Sequence, residues 1–126
     1  QLPKASKIVL VGYSYGSLIT SSLFDKVDCV VGACAVSYPF DYAWALALWN
    51  AGGMWKSFRK SQKPKLMVCG AHDNFCSRSR FEREAASLSQ PADHRCFDSV
   101  DHFWASRGVR KEMAALVATW ARGCAG

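Results

Sequence analysis

Residues 12–16 read Gly-Tyr-Ser-Tyr-Gly; the apolar run Ile8-Val9-Leu10-Val11 precedes them and the amphipathic stretch from Leu18 to Phe24 follows. An apolar run, a glycine-bracketed serine and a helix-spaced segment, in that order, describe a strand turning sharply into a helix with the serine at the apex. Such a turn forces Ser14 into a strained backbone conformation, and glycines two positions away on each side let neighbouring backbone approach without Cβ clashes. The hydroxyl then stands above a sheet, close to a helix N-terminus whose free N–H groups and dipole favour negative charge as it develops. A glycine-rich turn with an incidental serine is the bland alternative, and the flanking strand and helix weigh against it.

An activated serine needs a base, and the base needs an orienting acid. The chain has three histidines. His94 falls inside a strand-like segment, His72 sits beside Asp73, and His102 follows Arg95-Cys96-Phe97-Asp98-Ser99-Val100-Asp101. Leu66-Met67-Val68-Cys69 reads as a short buried strand, and Gly70-Ala71-His72-Asp73 leaves its C-terminal end. Open α/β sheets carry their chemistry at the carboxyl ends of parallel strands, so Ser14, Asp73 and His102 are expected at one edge. Asp101 is a poor orienter for His102 because consecutive side chains diverge. His72 has the same difficulty with Asp73.

Together, Gly12-Tyr13-Ser14-Tyr15-Gly16, the strand-end Gly70-Ala71-His72-Asp73 and the late Asp101-His102-Phe103 resemble the catalytic half of an α/β-hydrolase, over nearly the whole chain. The fit is best with small, lightly capped hydrolases sharing the Asp-His-Phe ending. The resemblance implies a serine hydrolase in which Ser14 is the nucleophile, His102 the base and Asp73 the orienting acid, acting on an ester-like small molecule, carboxylic ester or thioester, through an acyl-enzyme. Tyr15 then supplies one oxyanion N–H, and the second donor belongs to a loop that would precede Gln1. Tyr13, Trp44 and Trp49 are candidate substrate contacts. No cofactor or metal is implied. A truncated or inactive copy serving as a binding module is the alternative reading.

The rest of the sequence supports an α/β fold, a mostly parallel sheet with flanking helices. A strand over 7–12 leads to a helix over about 15–26, with Ile19 and Leu23 on one face and small Ser17, Ser21 and Ser22 permitting close packing. Cys29 to Val36 reads as a buried parallel strand, 65–70 as a third, and 94–98 as an edge strand. Ser79 and Glu82 suggest a capping box for a helix with Phe81, Ala85 and Leu88 inward, bounded by Pro91. Val109, Met113, Leu116, Val117 and Trp120 recur at helical spacing up to a stop at Gly123. Strand partners are supplied on one side of the Ser14 strand only. The chain is therefore expected to be a single partial domain, 1–126, lacking N-terminal strands, with little esterase activity and poor solubility in isolation.

Residues 39–64 exceed the minimal plan. They hold Phe40, Tyr42, Trp44, Trp49, Trp55 and Phe58, and Asp41 is placed to cap a short helix ending near Gly52-Gly53. An aromatic lid over an apolar acyl pocket and a helix merely packed on the sheet are equally compatible with this pattern.

The net charge of +6 raises a nucleic-acid or membrane partner, and Lys56, Arg59, Lys60, Lys63 and Lys65 form a basic cluster. A solvated connector before a strand is the preferred reading, with Pro64 as its marker, so neither partner is expected. No apolar run approaches the roughly 18 residues of a membrane span. No charged segment leading into an apolar core follows Gln1. The six cysteines, at 29, 34, 69, 76, 96 and 124, form no C-x-x-C pair, and those at 29, 34, 69 and 96 read as buried free thiols of a reduced, cytoplasmic protein. A catalytic Cys76 lacks partners of its own, and a zinc site from His72, Asp73 and His102 lacks ligand spacing.

Overall fold

The computed structural model describes residues 6–46 and 51–126. The apolar runs are strands, and helices carry the chain between them: β1 (Ile8–Tyr13), α1 (Tyr15–Leu23), β2 (Val30–Val36), α2 (Ala43–Leu46), α3 (Ala51–Lys60), β3 (Lys65–Gly70), α4 (Arg78–Ala86), β4 (Ala92–Phe97) and α5 (Arg107–Ala125). Among the described residues the strands make one parallel sheet in the order β1-β2-β3-β4. Because the chain steps across the sheet in one direction, right-handed crossovers put α1, α3 and α4 on the same face. The last helix, α5, returns over the opposite face against β1 and β2.

Alternation along the two central strands fills both faces. Ala33, Ala35, Met67 and Cys69 pack with Leu18, Phe58 and Phe81 under α1, α3 and α4. Cys34, Val36, Leu66 and Val68 pack with Trp104 and Val117 under α5. Burial on both faces is why these strands read as unbroken apolar runs. Register sets Tyr13 opposite Val36, Val36 opposite Val68 and Gly70 opposite Phe97, which aligns the carboxyl ends on one edge. At one margin lies β4, with Asp93, His94 and Arg95 exposed as its polarity requires. At the other lies β1, whose Val11 and Tyr13 are 54% and 46% exposed.

Several local expectations are corrected. In α1, which ends at Leu23, Ser17, Leu18, Thr20 and Ser21 face inward while Ile19 and Leu23 are exposed. Close approach is the reason: a Cβ on Gly12 would lie 2.5 Å from the Gly16 carbonyl oxygen, so small side chains must face the sheet here. Ser17 and Ser21 tolerate burial because their hydroxyls donate back to the carbonyls of Ser14 and Ser17. Cys29 is exposed, one residue before β2 begins.

The segment after β2 differs more. Instead of ending near Gly52-Gly53, a helix runs through them to Lys60, since Met54, Trp55 and Phe58 pack on the core and outweigh a propensity cost of about 1 kcal/mol per glycine. The Asp41 carboxylate accepts from the Ser77 N–H at 3.3 Å and lies 3.7 Å from Arg80, which ties the exit of β2 to the start of α4. Trp49 lies outside the described residues. For α4 the N-cap is Ser77, whose extended backbone lets its hydroxyl accept from the Arg80 N–H at 3.2 Å, while Glu82 pairs with Arg78. Phe81 and Ala85 of its inward stripe are buried as expected, and Leu88 is buried just past the helix end. Helix α5 continues past Gly123 to Ala125, because Gly123 does not adopt the left-handed φ of a glycine stop.

The basic cluster does not form one solvated loop. Lys56, Arg59 and Lys60 belong to α3. The Lys63 ammonium donates to the carbonyls of Phe24 and Val27 at 2.9 and 3.0 Å, closing the end of α1. Lys65 is fully buried and donates to the carbonyls of Ser61 and Lys63 at 2.6 and 3.1 Å; desolvation pushes its pKa down.

Candidate active site

Ser14 is the hinge between β1 and α1. Its N–H still donates to the Val36 carbonyl at 2.9 Å, as a strand residue would, while its own carbonyl accepts from the Ser17 N–H at 2.9 Å, as a helix cap would. Serving both elements forces φ to 53° and ψ to −121°, a conformation costing about 1–3 kcal/mol for a residue with a Cβ. The two bracketing glycines are not equivalent. Gly12 has no room for a side chain, whereas a Cβ on Gly16 meets nothing within 4 Å, so only the first is a steric requirement of this turn.

Three segments far apart in the chain meet at the apex. The Ser14 Oγ lies 2.7 Å from His102 Nε2, and His102 Nδ1 lies 2.9 Å from Asp73 Oδ2. Asp73 and His102 are 5% and 3% exposed. The other Asp73 oxygen accepts from the Phe75 N–H at 2.8 Å, so the carboxylate is fixed at both ends. A carboxylate only accepts, which puts the proton on Nδ1 and leaves Nε2 free to take the Ser14 hydrogen. Tyr15 is the first residue of α1, so its N–H is one of the donors that the helix itself leaves without a partner at that end.

The loop between β4 and α5 is anchored on both sides of His102. The His72 N–H donates to Val100 O at 2.9 Å, and Gly70 is in such tight contact with Val100 that a Cβ would lie 2.7 Å from its carbonyl carbon. Beyond His102, the buried Trp104 indole donates to Ser37 Oγ at 2.8 Å, and Arg110 donates to the carbonyls of Trp104 and Ala105. Ser37, Ser99 and Trp104 all have positive φ, so the strain of this edge is spread over the ends of β2 and β4 as well as the elbow. The Phe75 ring packs on the imidazole at 4.3 Å between centroids, and Tyr42 packs on Phe75 at 5.1 Å.

The remaining candidates separate cleanly. Asp101 is exposed and accepts from the Phe103 N–H, and His72 is exposed. The Tyr13 hydroxyl donates to the His102 carbonyl at 2.6 Å. Trp44 is 70% exposed, whereas Tyr38, Phe40, Trp55 and Phe58 pack on one another as core. Cys76 is fully buried beside Cys69, whose thiol pKa its hydrogen bond pushes up, and burial pushes Cys34 up to about 12, so Cys34 and Cys69 are thiols rather than nucleophiles. Among the described residues no three His, Cys, Asp or Glu side chains are placed to hold a metal, and no helix is long and apolar enough to cross a membrane. Phe75, Ser37 and Trp104 were not singled out by the sequence; the Asx-turn spacing from Asp73 to Phe75 is the one signal that could have found any of them.

A serine at a strained strand-to-helix turn, hydrogen-bonded through a histidine to a buried aspartate at the carboxyl edge of a parallel sheet, defines the α/β-hydrolase class. The sequence model for the alpha/beta hydrolase domain matches residues 1–122, and the chain belongs to that family. Its fold is similar to the esterase domain of a Rhodothermus marinus protein, with a TM-score of 0.79, 14% identity, and coverage of 90% of this chain and 60% of that one. A monoacylglycerol lipase from Paleococcus ferrophilus is similar with a TM-score of 0.74 and 13% identity, over 94% of this chain and 69% of the other. An esterase of Pyrococcus furiosus gives 0.72 and 15%, over 98% and 55%. The chain thus spans 55–69% of the length of these three structures. No curated protein matches it.

Proposed function

We propose that this chain carries the nucleophile, base and acid of a serine hydrolase for ester-like small molecules. The observation supporting it is the continuous hydrogen-bonded line from Ser14 Oγ through His102 to Asp73, at 2.7 and 2.9 Å. His102 Nε2 accepts the Ser14 proton as Oγ attacks the carbonyl carbon. Asp73 holds the imidazole tautomer and stabilises the cation that forms, and the Tyr15 N–H donates to the tetrahedral oxyanion. The imidazolium then protonates the leaving alcohol or thiol, giving an acyl-enzyme. Water, deprotonated by the same His102, releases the acid and restores Ser14. Trp44, exposed on α2 and two residues from Tyr42, is proposed as part of an apolar lid for the acyl group; Phe40, Trp55 and Phe58 of the same segment are core instead.

The test is covalent labelling by an alkyl fluorophosphonate. Labelling is expected on Ser14, lost in Ser14→Ala, and slowed by about four orders of magnitude in Asp73→Asn, where the imidazole tautomer is no longer held. An unlabelled wild-type chain, or labelling that survives Ser14→Ala, overturns the reading in favour of a binding module on this fold.

A further inference from the structure

Resting on the hydrolase reading, we propose that the Tyr13 hydroxyl is a positioning group for the base, fastening the His102 backbone to the residue immediately before the nucleophile. Two hydrogen bonds cross the same junction: Ser14 Oγ to His102 Nε2 at 2.7 Å, and Tyr13 Oη to the His102 carbonyl at 2.6 Å. The first makes and breaks a proton bond during chemistry. The second does not, so it holds the geometry while the first changes.

The loop needs such a hold at this point. Its anchors on either side are Val100, bonded to the His72 N–H, and Trp104, bonded to Ser37. Between them the chain passes from an exposed Asp101 through His102 to a Phe103 that is 68% exposed. Rotation of that short arc about its two anchors would swing the imidazole away from both Oγ and Asp73. A donor on the His102 carbonyl opposes this rotation directly. Tyrosine suits the task because its rigid ring spans the gap with two side-chain torsions, and the ring itself sits 5.6 Å from the imidazole. Burial, and secondarily the Asp73 and Asp101 carboxylates, push the Tyr13 pKa up, so the hydroxyl stays protonated and remains a donor.

A phenylalanine at 13 keeps the ring and removes the tether. With a fluorophosphonate probe, Tyr13→Phe is expected to lower the maximal labelling rate about tenfold and to leave half-saturation within about twofold, a split that reflects misalignment rather than lost binding. p-Aminophenylalanine at 13, which keeps a donor at the same place, is expected to restore the rate. The readout independent of reactivity is the His102 ring: its Nδ1–H resonance, sharp in the wild type, should broaden in Tyr13→Phe and sharpen again in the amino variant. A folded Tyr13→Phe with unchanged rate and ring resonances overturns the inference, as does a loss that the amino variant fails to restore. If Tyr13→Phe does not fold, 3,5-difluorotyrosine keeps the shape but ionises at lower pH. Broadening of the ring resonance as that hydroxyl ionises supports the tether, and a flat profile overturns it. If the wild type itself is not labelled, the hydrolase reading fails, while the ring resonances still decide the tether.

Discussion

Gly70→Ala tests whether the base is placed by backbone contact across the sheet edge. Gly70 ends β3, and a Cβ there would stand 2.7 Å from the Val100 carbonyl carbon and 2.9 Å from its Cγ1, with the carbonyl oxygen closer still. Ordinary contact begins near 3.4 Å, so in a close-packed edge Val100 must retreat by about 0.7 Å or more. Val100 O is the acceptor for the His72 N–H, and His102 follows two residues later. Carried along the loop, the same displacement would stretch the 2.7 Å Ser14–His102 bond out of hydrogen-bonding range. Misplacement of this size should cut the Ser14 labelling rate by about 30- to 100-fold. Overpacking should also cost about 1–3 kcal/mol, which lowers Tm by about 4 °C per kcal/mol for a domain of this size. Labelling kinetics beside a thermal melt separate the two effects. A Gly70→Ala protein that melts like the wild type and labels within about threefold of it would falsify the claim that this contact sets the position of the base.

The motif glycines should respond unequally. Gly16→Ala, with nothing within 4 Å of the new Cβ, is expected to leave labelling unchanged and to stabilise the chain by about 0.5–1 kcal/mol as a helical Gly-to-Ala change, whereas Gly12→Ala should lose labelling and fold by driving α1 off β1. Equal penalties at 12 and 16 in a melt and a labelling assay would refute the steric account. Trp44→Ala should alter labelling selectivity along a series of alkyl fluorophosphonates of increasing chain length, with little change in Tm because Trp44 is exposed; an unchanged selectivity series removes the lid.

How much of this was legible follows from how far apart the contributing residues lie. The elbow was readable because strand, serine and helix are contiguous, and Asp73 and His102 because the end of an apolar run and the Asp-His-Phe ending mark them in one dimension. The edge position of β4 was written in its polarity. Local patterns failed where two patterns competed: Ser77 displaced Ser79 as the cap because its backbone was already extended, and core packing by Trp55 and Phe58 carried α3 through two glycines. Close packing through Ser17 and Ser21 was legible in their size, but the exposure of Ile19 and Leu23 was not, because the sheet-facing side of α1 is set by how closely Gly12 meets Gly16.

By itself the sequence determined the alternation of strands and helices and the arrival of Ser14, Asp73 and His102 at one edge, since each is encoded in short-range periodicity or in chain order. Tertiary structure alone decided what holds them there: Tyr13 on the His102 carbonyl, Gly70 against Val100, the Trp104 indole on Ser37 and Phe75 on the imidazole. Each of these contacts joins segments from different strands, and only parallel pairing in register brings them within reach. A pattern along the chain carries no distance between strands, whereas the sheet fixes that distance for every residue at its edge.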